Sequence, residues 1–437
     1  MASKSNVIRA RQPASIFPLR ISGNGRYLTD YQGNPLLLMG DAGWSAAVQL
    51  SRSQMEKYLT HRQGQGINTV LLSLIEHKFS SQSPAYKNAN GDAPFTTMSP
   101  VAWTNITEAY WAEVDYFVNA CKSRNIVVIA NPIYRGIAGT PDEGWQVETD
   151  AATDSDLDSY GQTLGNRYTQ GNIIWCAGGD NAGNTTQRDK QYKVFSGIRK
   201  RSKQALITGH PARTEDTFSF WTGYDGFALN TIYTRPTVAG AEYGAAATAY
   251  AKSPTTPFVN LEGWYENENS VSAIQLRRQP IASILAGACG FIHGNNPIWG
   301  FGEPNANGGA GPAASLASGL STNGYTWAAQ TAQFFRNVQW WLLQPKTDTS
   351  LVTTALGSDE ARVIPARASD GSFAMIYTPT VDFTVDMTNF VAPSVRGRWY
   401  DPAAGTYAAS AGSPYSNSGT QAFAAPGERI LVLDGAA

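Results

Sequence analysis

At 437 residues the chain exceeds one ordinary domain, and one large domain with a smaller companion is the natural division. Its 33 basic residues nearly cancel its 34 acidic ones and form no block, which argues against a nucleic-acid surface and a polybasic membrane anchor. An apolar content of 42% argues against disorder, and no run reaches the length of a membrane span. The opening "MASKSNVIRARQPASIF" has charge but no apolar core, so it is not a secretory signal as written. Removal of a signal before Met1 would make the protein secreted or periplasmic; otherwise a cytoplasmic or virion-associated location is expected. Next, "RISGNGRYLTDYQGNPLLLMG" carries two turn signals and predicts an N-terminal β-hairpin closing a barrel floor.

From residue 36 to 295 one rhythm repeats. A short apolar run ends in a polar or Gly-containing loop, and an amphipathic segment usually follows. The runs are 36–41, 67–75, 126–133, 173–180, 205–210, 225–231, 257–263 and 290–295. Continuous apolar runs of this length suit parallel strands covered on both faces. Between them, Ser51 with Gln54 predicts a capping box, and 107–124 places Tyr110, Trp111, Val114, Phe117, Val118 and Cys121 at helical spacing. The connection 211–224 is too irregular to assign. Eight strands alternating with helices favour an α/β fold of the (β/α)8 TIM-barrel type; an open doubly wound sheet is the rival. No GxGxxG or P-loop opens a helix, so nucleotide binding lacks support.

After the eighth run a long Gly/Pro-rich segment, 294–319, is expected to overhang the barrel mouth, and an apolar helix is expected over 325–343. From about residue 347 short alternating strands separated by turns predict a small antiparallel β-sandwich. The expected domains are therefore 1–346, a barrel with its hairpin, and 347–437, all-β.

In such a barrel the C-terminal strand ends share one mouth, and carboxylates there are catalytic candidates. Asp41, Asp180 and Glu262 follow or end the first, fourth and seventh runs. Two convergent carboxylates are what glycosidic cleavage needs, one to protonate the departing oxygen and one to attack or to activate water. Asp180 and Glu262 are the catalytic pair on this reading. Glu266 is expected to support them or hold a substrate hydroxyl, and Asp41 to orient a sugar hydroxyl or a neighbouring side chain. His210 and His293 end the fifth and eighth runs, and Asn230 closes the sixth; with Asn181 they are candidates for sugar contact. Trp44, Trp264, Tyr265 and Trp299 are the aromatics expected around the ring. Arg277 and Arg278 are expected on a solvated helix surface. Cys121, Cys176 and Cys289 sit in apolar runs without CxxC spacing, and the four histidines form no HExxH pair, so neither metal nor cofactor is called for.

The stretches "FPLRISGNGRYLTDYQGNPLLLMGDAGWS", "YLTHRQGQGINTVLLSL", "GNIIWCAGGDN", "EGWYE" and "LRRQPIASILAGACGFIHGNNPIWGF" resemble the apiosidase-like barrel glycosidases. "GRWYDPAAGTY" is similar to the recurring turn of the collagen-binding-type sandwich that accompanies them. The resemblance implies a glycoside hydrolase acting on a plant or bacterial polysaccharide or its side chains, furanosidic sugars included. It also implies Asp180 as acid/base and Glu262 as nucleophile. Two positions depart from the family pattern: GDT is GDA here, leaving Ala42 without a hydroxyl, and Glu262 is followed by Gly-Trp instead of a Pro-containing turn. The competing reading is a non-catalytic carbohydrate-binding or virion-associated structural protein that reuses the barrel. A metal-dependent hydrolase would want an HxH cluster where the chain has GDAG.

Overall fold

The computed structural model describes residues 15–137, 143–180, 185–235, 240–302 and 310–435. Each apolar run becomes a strand, and a helix follows most of them. In chain order they are β1 (Leu38–Ala42), α1 (Arg52–Gly64), β2 (Thr69–Ser73), α2 (Glu108–Ser123), β3 (Val127–Asn131) and α3 (Asp154–Arg167). Then come β4 (Ile173–Gly178), α4 (Thr185–Arg201), β5 (Leu206–His210), the one-turn α5 (Phe218–Trp221), β6 (Asn230–Tyr233) and α6 (Ala241–Tyr250). The set ends with β7 (Phe258–Glu262), α7 (Ala273–Leu285), β8 (Gly290–Asn295) and α8 (Asn323–Arg336). The ladder is parallel and runs β5-β4-β3-β2-β1-β8-β7-β6.

Closure between β5 and β6 is made by looser contacts. Ile207 bridges Phe227, Ala228 N–H donates to Ile207 O at 2.9 Å, and Thr208 Oγ1 donates to Leu229 O at 2.7 Å. This is a nearly closed (β/α)8 barrel. The irregular 211–224 connection therefore falls where the ladder itself is irregular.

Strand alternation explains the continuous apolar runs. Leu71, Ile129 and Ile174 join one buried cluster, while Val70, Leu72, Val128 and Trp175 join a second cluster with the helices. Both faces of each strand are thus covered. The α1 capping box forms as expected, Ser51 N–H donating to Gln54 Oε1 at 2.9 Å. The sixth strand begins at Asn230, later than the run 225–231 suggested, because Gly226 turns the chain with φ 85°. The apolar helix ends at Arg336, and a separate turn covers Trp340–Leu342. The N-terminal hairpin is a three-stranded sheet of Arg20–Ile21, Leu28–Thr29 and Pro35–Leu36.

The C-terminal part is all-β. A seven-stranded antiparallel sheet includes Leu343–Pro345, Ile364–Ala368, Phe373–Thr378, Arg429–Gly435 and Ser394–Asp401. It packs Ile376, Leu431 and Trp399 against Phe383 and Phe423 of a two-stranded ribbon, forming a sandwich core. The other face of the sheet meets the barrel. Phe334 of α8 stacks on Tyr400 with centroids 4.2 Å apart. Arg277 Nε donates to Glu428 at 2.8 Å, and Arg278 is buried beside Glu242 at 3.1 Å. The expectation of a solvated arginine pair is therefore corrected: both side chains lie at this seam, where the sheet covers α7.

Beneath the barrel mouth lies a buried ion pair. Arg62 Nε sits 2.6 Å from Asp41 Oδ2, with neither side chain exposed. Tyr58 and Tyr325 hydroxyls donate to the same carboxylate at 2.7 and 2.5 Å. Removing one partner of such a pair strands the other charge. Arg62→Met is expected to cost about 3–5 kcal/mol of folding stability, measurable by urea titration, because Asp41 would remain buried and unpaired.

Candidate active site

The mouth holds a cavity of about 480 Å³, within the range of small-ligand sites. Its walls include Trp44, Tyr134, Asp180, Glu262, Tyr265 and Trp299. Glu262 is the last residue of β7, His210 the last of β5 and Tyr233 the last of β6, so three strand ends deliver adjacent side chains. His210 Nε2 lies 2.7 Å from Glu262 Oε2, and the Tyr233 hydroxyl donates to Oε1 at 2.9 Å. Both carboxylate oxygens are thereby held.

Asp180 reaches the same place by an unusual backbone path. Gly178, Gly179 and Asp180 have φ of 88°, 134° and 51°. Glycine adopts such values freely, and Asp is among the few other residues that tolerate them. A side chain at Gly179 would also collide with the Tyr134 ring. The GGD sequence is therefore what lets the chain turn back into the mouth after β4. Asp180 N–H donates to His210 Nδ1 at 3.0 Å, and the Tyr134 hydroxyl donates to Asp180 Oδ2 at 3.2 Å.

These contacts orient His210. In its neutral form Nδ1 accepts from the Asp180 backbone, so the ring proton sits on Nε2 and points at Glu262. Burial would lower the His210 pKa, but the hydrogen bond and charge of Glu262 outweigh it and raise it. Burial first, and the Glu262 carboxylate second, push Asp180 above the usual aspartate range. Its side chain is 21% exposed, on the cavity side. One oxygen each from Asp180 and Glu262, and one His210 nitrogen, all lie within 4.8 Å of one another. A divalent cation could in principle find three donors there. It would have to displace a hydrogen bond that already occupies either ring nitrogen of His210.

Aromatic rings line the remaining walls. Trp44 lies edge-on to Tyr134 and His210, at 5.8 and 5.2 Å, and its Nε1 donates to Tyr265 Oη at 3.2 Å. Trp299 donates to Glu268 Oε1 at 3.0 Å, and Phe79 is edge-on to both Tyr134 and Trp299. Arg235 is tied to Glu268 at 2.8 Å, while Arg213 stands exposed on the wall.

Several expected contacts lie elsewhere. Asp41 faces Arg62 and the helix layer, away from the cavity. Asn230 starts its strand at the far end of the barrel and accepts from Thr217 Oγ1 and Phe218 N–H. Glu266 accepts from Asn295, Thr322 and Gly324 N–H, with His293 at 3.5 Å. Burial would raise the Glu266 pKa, but His293 and these donors hold it down at about 2. His293 in turn packs edge-on to Tyr325 of α8 at 4.6 Å. Trp264 is anchored by its backbone to Gln279 at 2.8 Å and does not line the cavity. Asn181 lies outside the described residues. Of the long segment after β8, Asn296 and Trp299 do line the cavity.

Tyr233, Phe79, Arg213, Arg235 and Glu268 carry no signal in the sequence reading. Tyr233 alone was recoverable, since a sixth strand placed three residues later would have ended on it. Tyr233→Phe is expected to lower kcat about tenfold by removing one charge-assisted hydrogen bond to Glu262, with little change in KM. Steady-state kinetics check this, and an unchanged kcat would remove Tyr233 from the machinery.

Solved structures share this architecture. One named a glycoside hydrolase has a TM-score of 0.82 at 20% identity, covering 96% of this chain and 97% of its own. A family 5 glycoside hydrolase from Bacteroides vulgatus has a TM-score of 0.82 at 21% identity, covering 96% and 95%. Likeness at these identities speaks to the fold. No curated protein sequence matches the chain. The class is that of the barrel glycoside hydrolases. The apiosidase-like catalytic-domain model matches residues 22–342, so the chain belongs to the apiosidase-like family. Residues 347–434 match the domain described as "Putative collagen-binding domain of a collagenase".

Proposed function

We propose that this glycoside hydrolase cleaves a plant or bacterial polysaccharide or its side chains, furanosidic sugars included, by double displacement. Asp180 protonates the leaving oxygen while Glu262 attacks the anomeric carbon, giving a glycosyl ester on Glu262. Asp180, now a carboxylate, takes a proton from water, which cleaves the ester and restores both acids. The observation that carries this reading is the approach of an Asp180 oxygen and a Glu262 oxygen to within 4.8 Å. Retaining enzymes hold their carboxyl groups about 5–5.5 Å apart, whereas inversion needs roughly 6.5–9.5 Å to admit a water, and a nearest-oxygen approach this short favours the first. The raised pKa of Asp180 supports the acid role, because that group keeps its proton further into the working pH range. The hydrogen bonds that hold both Glu262 oxygens support the nucleophile role.

Trp44, Tyr265 and Trp299 supply faces and edges for the C–H surfaces of sugar rings. A non-catalytic binder would need the aromatics but not an aspartate of raised pKa beside a second carboxylate. Hydrolysis of arabinan, pectic oligosaccharides and synthetic furanosides, run beside calorimetric titration with the same glycans, tests the reading. Turnover of any member supports it; binding across the set without cleavage would favour the non-catalytic alternative.

A further inference from the structure

We propose that a second groove, at the closed end of the barrel, grips a neutral stretch of polysaccharide while the mouth works on another; this rests on the glycoside hydrolase reading above. The groove encloses about 320 Å³ where the turn at Asn24–Tyr27, the end of α6 and the Trp340–Leu342 turn meet the β-sandwich. Thr255 in its wall precedes β7 and Ala288 precedes β8, so it lies at the opposite strand ends from Asp180 and Glu262. A short oligosaccharide cannot span both.

Its chemistry is that of a sugar platform. Tyr27 and Trp341 are half-buried and set edge-on against the buried Trp340, at 5.8 Å and 70° and at 6.3 Å and 89°. That packing fixes both rings before any ligand arrives, which lowers the entropy cost of stacking. The rim is neutral and polar: Asn24, Thr255, Gln344 and Ser369 are exposed, offering amide and hydroxyl donors and acceptors. Arg26, the one cation among the described wall residues, is already committed. Its guanidinium lies 3.8 Å over the Tyr250 ring and donates to Tyr250 O at 2.6 Å. Among the described residues no cation in the wall is free for a phosphate, and the polar rim suits a lipid poorly. Ordered aromatic rings beside uncharged hydrogen-bonding groups suit the C–H faces and hydroxyls of neutral sugars.

The test is native gel electrophoresis through arabinan and galactan, both neutral, using Glu262→Gln protein so that the gel polysaccharide survives. Retardation by at least one of these is expected. Adding Trp341→Ala should weaken it about tenfold. The exposed pair Asn24→Ala with Gln344→Ala should also weaken it, and this variant decides the matter if Trp341→Ala fails to fold. Placed in active protein, the same changes should leave kcat/KM on a small chromogenic glycoside unaltered. Retardation equal to the parent in the folded variants, or no retardation by a polysaccharide that the wild type cleaves, would overturn the groove. Failure of the wild type to cleave any glycan would instead count against the catalytic reading, and is read separately.

Discussion

Glu262→Gln is expected to lower kcat by about 10⁴-fold or more on any glycoside the wild type cleaves, the scale seen when a covalent nucleophile is removed. The amide is nearly isosteric, and its oxygen can still accept from Tyr233 or His210. What it cannot do is form the glycosyl ester. The folded state should therefore persist, with a thermal midpoint close to that of the wild type, while turnover vanishes. Single-turnover kinetics with an activated aryl glycoside would show the absence of a burst. Near-normal turnover would remove Glu262 from the nucleophile role.

The second large effect is at Asp180. Asp180→Asn removes the proposed proton donor and should cost about 10²–10⁴-fold in kcat/KM on glycosides with poor leaving groups. The loss should shrink for leaving groups that depart without protonation, such as dinitrophenolate. The pH profile gives an independent reading. Burial and Glu262 raise the Asp180 pKa, so the acid form lasts to higher pH than that of an ordinary aspartic acid, and wild-type activity should fall as pH rises through that raised value. The basic limb should flatten in Asp180→Asn. A limb that persists unchanged would assign the acid to another group.

The barrel was legible because its strands are buried on both sides, which writes them as unbroken apolar runs. The sixth failed where burial and strand part company. Phe227 to Leu229 are apolar but belong to the turn into β6, and the ladder to β5 is replaced there by side-chain and single-bridge contacts. The catalytic candidates were legible for a related reason: an acid ending an apolar strand is costly unless it has work or a partner.

That same rule does not separate a substrate contact from a protein partner, and at Asp41 and Glu266 it leaves both open. Both have partners instead of substrate, Arg62 for one and Thr322, Asn295 and His293 for the other. Successive strand residues face opposite sides, and a strand end alone does not say which side an acid takes. Asp41 and His293 are register partners on neighbouring strands, and both turn toward the helix layer. Deciding that in advance would have required knowing that α1 places Arg62, and α8 places Tyr325, behind β1. At Arg278 the expectation fails instead. A helix surface reads as solvated until a second domain covers it.

The most direct measurement is the anomeric configuration of the first product. Proton NMR during the opening minutes of hydrolysis, before mutarotation, with Glu262→Gln in parallel, reads it on whichever glycan of the set the wild type cleaves. The two-carboxylate account predicts product of the same anomeric configuration as the substrate from the wild type and no product from the variant. An inverted product, or equal release by the variant, would contradict it.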